Sequence, residues 1–364
     1  MGLSEREAYL AFNLTDRIGS VTVESLVREF GSVSSAWESY PEEKKISRTG
    51  GEVDWRAESG KAETLGVTIL TPADAGYPPR LLETSGHPLA LYVKGDVASL
   101  SRPSLAIVGT RRATAYGLDQ AFAFARDLAE SGWSIVSGLA LGIDAEAHRG
   151  ALSAKGTTVG VLGSGLDEFY PEENRELARE IVKSGGAVAS EFPFGRVPDT
   201  QTFPQRNHVV AALVQGVIAI EAPLRSGTLL TTGFAAELGR TVMAVPGRVD
   251  SKTSQGCLKL IRDGARMVRN AKDVEEEFSD FFGRLTAGTP APSCDTPPVM
   301  RPSSVSLEES LILKHLDNEG LTIDRLVSLT GLPVEKVTAT CMKLRLRDKV
   351  RYFPGNRVAL PREA

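Results

Sequence analysis

Apolar positions recur along the chain in two different periods, and the architecture changes where the period does. Residues 1 to about 62 show helical spacing in EREAYLAFNL and in TVESLVREFGSVSSAWES, with a glycine turn at Gly19 between them. From residue 65 the apolar positions gather into short runs. Two extended pieces, GVTILTP and PLALYVKGD, come before LAIVG, SIVSG, TVGVLG, AVASEF, VIAIEA, TVMAVPG and RMVR. Amphipathic helical patterns lie between the runs, among them LDQAFAFARDLAESG and ENRELAREIVKSGG, the second closed by glycines suited to a C-terminal cap. Strands apolar on both faces, alternating with such helices, need cover on both sides. The pattern therefore predicts an α/β domain over 63–283 on a parallel sheet, preceded by a helical domain over 1–62. Ligands of such sheets sit at the carboxyl ends of the strands.

Residues 284–304 hold five prolines and few apolar positions, the composition of an extended linker. The module after it, 305–364, reads as three helices, SLEESLILKHLD, TIDRLVSLTG and PVEKVTATCMKLRLRDK, and a hairpin, VRYFPGNRVAL. That order is similar to a winged helix. In the third helix Val334, Val337, Cys341 and Leu344 keep a core-facing spacing, while Lys336, Lys343 and Arg347 share the opposite face around Thr340. That face suits duplex DNA; with Glu335 and Asp348 diluting its charge, it equally suits solvent or a protein partner.

Composition narrows the classes. Apolar content of 41% with 24% charged residues is that of a globular chain with a sizeable core. No stretch is long and apolar enough to span a bilayer, and MGLSEREAYL lacks the features of a signal peptide. Arg6 stands where myristoylation requires Ser or Thr, so a cytoplasmic protein is expected. Cys257, Cys294 and Cys341 are far apart and the four histidines are scattered, so neither a disulfide framework nor a metal site is expected. A net charge of −4 excludes coating of nucleic acid by bulk electrostatics and leaves only a local basic site.

Four small-residue turns follow predicted strands: GTRRATAYG at 109–117, SGLALGIDAEAHRGAL at 137–152, GSGLDEFYP at 163–171 and EAPLRSGTLLTTGFAAE at 221–237. Each lets a ligand approach the main chain and offers N–H groups at a helix start. The first lacks the G-x-G-x-x-G of a dinucleotide loop, having Gly109, Thr110, Arg111 and Arg112 instead. An anion fits there, but not a standard dinucleotide. Arg111 lies at the helix mouth and is the phosphate candidate; Arg112 shares the rim or forms a salt bridge to a neighbouring helix. A fifth loop, GRVPDTQTFPQRNHVV at 195–210, adds Phe203, Arg206 and Asn207. An aromatic face beside a basic residue suits single-stranded nucleic acid, although Phe203 can equally anchor the loop, Arg206 brace it and Asn207 cap a helix. Asp144 reads as a helix cap. Glu221 is placed for a general base, but nothing in the sequence supplies a nucleophile or acid beside it.

AIVGTRRAT, SGLALGIDAEAHRGAL, VLGSGLD, YPEEN, SEFPFG, FPQRN, EAPLRSGTLLT, AELGRTVMAVPG and LIRDGA together resemble the DNA-processing protein A (DprA/Smf) family over roughly residues 65–280. The resemblance implies an extended Rossmann-like domain, a helical SAM-like domain before it and a winged helix after it. It also implies a homodimer, not an enzyme and without a cofactor, that binds single-stranded DNA, protects incoming DNA in natural transformation and loads the recombinase RecA. By the family's pattern the phosphate pocket maps onto Gly109, Thr110, Arg111, Ser137, Gly138, Gly163 and Ser164, with Phe203, Arg206 and Asn207 on the strand's path. Gln205 and His208 replace two basic residues of the family's loop, and Leu258 replaces a polar one, which implies weaker and less salt-dependent DNA binding. The N-terminal IGSVTVESLVREFGSV is similar to a helix-hairpin-helix clip but lacks its second glycine. The alternative is a nucleotide phosphoribohydrolase of the LOG type. Leu230 and Thr231 stand where that enzyme's loop carries glutamates, so an oxocarbenium-like sugar would lack its carboxylate.

Overall fold

The computed structural model describes residues 2–48, 50–278, 307–316, 320–334, 336–337, 340–341, 344, 349–353 and 357–360. They fall into two units, Met1–Thr286 and Ala287–Ala364.

Four helices open the first unit: α1 (Glu5–Leu14), α2 (Ser20–Phe30), α3 (Val33–Ser39) and α4 (Trp55–Leu65). The Ser4 hydroxyl accepts from the Glu7 amide while the Glu7 carboxylate accepts from the Ser4 amide, a capping box that fixes where α1 starts. The sequence pattern carries one helix through TVESLVREFGSVSSAWES, but the structure breaks it at Gly31, whose φ of 88° stops α2. Leu10 and Leu14 of α1 and Ala62 of α4 share a buried cluster with Ile69, Tyr92 and Phe194, so these helices have a core in common with the sheet.

The sheet has nine strands: β1 (Thr68–Leu70), β2 (Leu91–Gly95), β3 (Ser104–Val108), β4 (Ser134–Ser137), β5 (Thr158–Val161), β6 (Ala187–Ser190), β7 (Gly216–Ala219), β8 (Thr241–Ala244) and β9 (Arg266–Met267). Their order is β1-β2-β6-β5-β4-β3-β7-β8-β9. The two extended pieces before the β/α rhythm form β1 and β2, which run antiparallel at one edge; β3 to β9 are parallel. A short α5 (Pro79–Leu82) lies between β1 and β2, and crossovers are made by α6 (Ala115–Glu130), α7 (Ile143–Ser153), α8 (Arg175–Lys183), α9 (Thr202–Leu213), α10 (Gly227–Glu237) and α11 (Gln255–Arg262).

Alternation in β3 shows why both faces are covered. Leu105 and Ile107 join Phe124 and Leu128 of α6 in one core, while Ala106 and Val108 join Val209 and Val210 of α9 in the other.

The second unit contains helices Leu307–His315 and Ile323–Thr330 and a three-stranded antiparallel sheet. Its strands are β10 (Leu321–Thr322), β11 (Arg351–Phe353) and β12 (Arg357–Ala359), in the order β10-β12-β11. Ile312, Leu326, Val337, Cys341, Leu344 and Val358 fill its core. Two details differ from the sequence expectation. Val334 is 48% exposed instead of core-facing, and Thr340 is buried, so it cannot centre a solvent face. The linker at 284–304 and Glu335, Lys343, Arg347 and Asp348 lie outside the described residues.

Candidate functional site

The four glycine-rich turns follow β3, β4, β5 and β7, which are consecutive neighbours, so their carboxyl ends form one rim. The chain winds outward from β3 to β6 on one side and from β7 to β9 on the other. The reversal opens a crevice between β3 and β7. A cavity of about 340 Å³ lies there, bordered among others by Gly109, Arg111, Gly138, Phe203, Asn207 and Arg225.

Glycine permits the turns to touch. Gly142 has φ 80°, and a Cβ on it would stand 2.5 Å from the Thr110 carbonyl oxygen and 2.8 Å from that of Arg111. A Cβ on Gly138 would stand 2.8 Å from Asp144 Oδ2 and overlap Arg206.

Two buried carboxylates hold the turns in place. Asp144 sits inside α7, whose N-cap is Gly142, and its Oδ2 accepts from the Gly138 amide at 3.1 Å. The amides of Ala140 and Gly109 also favour its charged form, so it ties the first two turns together and does not cap a helix by itself. Burial pushes the Asp144 carboxyl above the usual aspartate range against the pull of Arg206 and those amides. Glu221 accepts from the Thr114 amide and hydroxyl, each at 2.8 Å, and from the Thr253 hydroxyl at 3.1 Å. With 3% exposure and both oxygens engaged, it clamps the turn and has no place as a general base.

Arg206 is a brace. Its guanidinium is buried, with Nη1 donating to the carbonyls of Gly138 and Val161, the latter at 2.9 Å, and Nε donating to Asn207 Oδ1 at 3.0 Å. Burial lowers its pKa, and the nearby Asp144 works against that. Arg206 borders the cavity, but Nη1 is turned onto main-chain carbonyls of the turns after β4 and β5, so it braces those turns from inside the rim. Asn207 lies inside α9, so the capping role also falls. Asp199 Oδ1 instead accepts from the amides of Gln201 and Thr202, and Asn207 Nδ2 reaches the Gly227 carbonyl at 3.3 Å. Ser137 is fully buried, its hydroxyl donating to the Ile107 carbonyl at 2.6 Å, which leaves that side chain unable to meet a ligand. Ser164 is also fully buried, and its hydroxyl has no partner among the described residues.

Arg111 and Arg112 are exposed, and among the described residues neither forms an ion pair, so the salt-bridge role for Arg112 is not realised. The Arg111 guanidinium carbon lies 4.9 Å from the Phe203 ring centroid, a cation–π contact. The Arg112 amide donates to Thr110 Oγ1 at 3.2 Å. A third exposed arginine, Arg225, borders the cavity on the turn after β7. Sequence reasoning read that loop for its glycine and passed over the arginine beside it. At the same place α10 begins with no side-chain cap, and its Ser226, Gly227 and Thr228 border the cavity, offering main-chain amides. Gln205 and His208 border a different cavity of about 390 Å³, together with Arg48 and Glu191.

The family model of DNA recombination-mediator protein A matches residues 68–279. The chain belongs to this family. A DprA winged helix domain model matches residues 296–356, in agreement with the helices and three-stranded sheet of the second unit. Protein Smf of Escherichia coli K12 is 37% identical over 294 residues, 80% of this chain and 78% of that one. DNA processing protein DprA of Streptococcus pneumoniae R6 is 41% identical over 205 residues, 56% of this chain and 72% of that one. The crystal structure of DprA from Streptococcus pneumoniae superposes with a TM-score of 0.64 at 33% identity, covering 76% of this chain and 99% of that chain. DNA processing protein A from Helicobacter pylori, whose structure was solved for its single-stranded DNA binding mode, gives a TM-score of 0.52 at 30% identity, covering 61% and 96%. Membership in the DNA recombination-mediator protein A family gives the chain a DNA-processing role. Among the described residues no helix is long and apolar enough to cross a membrane.

Proposed function

We propose that this protein binds single-stranded DNA along the rim, with phosphates on the turns after β3, β4, β5 and β7 and with Gly109, Thr110, Arg111, Arg112, Gly138, Gly163 and Phe203 in contact with the strand. The observation that carries this reading is electrostatic. Arg111, Arg112 and Arg225 stand exposed around an open cavity, while its nearby carboxylates, Asp144 and Glu221, are buried and already satisfied by amides and hydroxyls. Such a surface attracts an anionic backbone and supplies no carboxylate for acid–base work. Leu230 is exposed and Thr231 buried where the phosphoribohydrolase loop needs glutamates, which favours binding over hydrolysis.

In the cell the protein shields incoming strands and loads RecA recombinase onto them in natural transformation. It works as a homodimer in the cytoplasm, without a cofactor, and its winged helix is available for duplex DNA. The relatives named for DNA processing and the Helicobacter pylori structure support the strand-binding part of this reading.

Fluorescence anisotropy with single-stranded and duplex DNA of equal length, at several salt concentrations, tests it. Expected is a sequence-neutral preference for the single strand that falls with salt. Preference for duplex, or full binding by residues 305–364 alone, refutes it, as does release of ribose phosphate from AMP. A pull-down with RecA and a light-scattering mass test the two protein partners.

A further inference from the structure

Tyr170 closes the turn after β5, on the same rim as the arginines. The residue is 46% exposed, and its hydroxyl makes no hydrogen bond among the described residues. A tyrosine kept for packing hides its ring or ties down its hydroxyl; this one does neither. Its centroid is 6.1 Å from that of Phe203, with the ring planes 48° apart. Arg111, Leu141 and Pro171 border a narrow cleft together with the two rings. A base held between them would need about twice the roughly 3.4 Å stacking distance, more than their 6.1 Å spacing, so what the pair offers is the outward surface of its rings.

We propose that Tyr170 is a second stacking platform, taking the base next to the one that lies on Phe203 along an extended single strand. The proposal rests on the reading of the rim as a single-stranded DNA site. The ring spacing of 6.1 Å exceeds the roughly 3.4 Å between stacked bases of a duplex, so it matches neighbours that have been pulled apart. Bases in a duplex hide their faces against each other and cannot use the platform. Stacking accepts any base, which keeps the interaction neutral to sequence. Arg111, held over Phe203 in the free protein, is within reach of both a base face and the adjoining phosphate.

The test compares a short oligothymidylate with an abasic oligomer of equal length and charge, both measured by anisotropy with the full chain. Tyr170→Ala is expected to weaken oligothymidylate binding about tenfold, equal to about 1.4 kcal/mol, and to leave abasic binding unchanged. Tyr170→Phe restores wild-type affinity. An equal loss on both oligomers overturns the proposal, because a base platform cannot affect a strand without bases. So does an unchanged Tyr170→Ala when Arg111→Ala binds more weakly. If the wild type binds neither oligomer, the reading of the rim fails and this inference with it. Should Tyr170→Ala lose its thermal transition, Tyr170→Leu takes its place under the same two outcomes.

Discussion

Replacing Arg206 by methionine separates a brace from a ligand. Methionine keeps the apolar stem and removes the guanidinium, which strips the donors from the buried carbonyls of Gly138 and Val161 and leaves Asp144 without its nearby cation. Hydrogen bonds to a charged group contribute about 1.5–3 kcal/mol each, and removing one partner of a buried charge pair costs about 3–5 kcal/mol. We expect a loss near the upper figure, which lowers the melting temperature by roughly 10 °C. Trp37, Trp55 and Trp133 are the chain's only tryptophans and all belong to the first unit, so their fluorescence in a urea titration reports that unit alone. The loss should also depend on pH. Removing the guanidinium raises the Asp144 carboxyl further, and above the ordinary aspartate value the folded state then holds a proton that the unfolded state has released. Stability of the variant therefore falls as pH rises, and its deficit is smallest in acid. A phosphate ligand behaves differently: its removal lowers the slope of log affinity against log salt by about 0.7 for a single strand and leaves folding intact. An unfolding curve identical to wild type, with that reduced slope, would refute the bracing role.

Other outcomes follow from the same geometry. Arg111→Ala should reduce single-stranded DNA affinity and lower the salt slope by about 0.7, with a smaller effect from Arg112→Ala, since only Arg111 also lies over Phe203; a salt series on both variants checks the order. Gly142→Ala places a methyl group against the carbonyls of Thr110 and Arg111 at a left-handed φ, so it should cost about 1–3 kcal/mol and weaken DNA binding by displacing the arginine turn, measured by melting and anisotropy. Burial pushes Glu191 up to about 7, so the folded state holds its proton at pH values where the unfolded state has lost it. Wild-type stability should decline from about pH 4.5 to 7, and Glu191→Gln should flatten that decline in a urea series. His148 runs the other way. Burial holds it down to about 3, so stability is complete above its ordinary value near 6.5 and is lost as pH falls toward 3, visible as acid unfolding.

Much of the rim was legible because strand ends and glycine turns are local features. The runs ending at Val108, Ser137, Val161 and Ala219 become the strands that carry the turns, and the exposed Arg111 can be read from its place between strand and helix. Roles that depend on burial were not legible. Nothing in FPQRNH reveals that Arg206 points inward, because its partners, Gly138 and Val161, are 68 and 45 residues away. Asn207 can be read as a cap of the next helix, yet proline is tolerated in a first turn, and α9 starts at Thr202, ahead of Pro204. Arg225 was not legible because its place beside Arg111 depends on β7 lying next to β3, a pairing between distant segments. The N-terminal pattern failed at Gly31, where the helical period continues across a residue that stops the helix.

The turn bearing Arg111 is anchored by a residue more than a hundred positions later in the chain. The Thr110 amide donates to the Glu221 carbonyl at 2.8 Å, and Thr114 binds the Glu221 side chain. A polypeptide still on the ribosome and ending before β7 thus already contains three of the four turns yet lacks the anchor for its leading arginines. The rim is therefore completed late in synthesis, once β7 has docked beside β3 and brought Glu221 to the arginine turn.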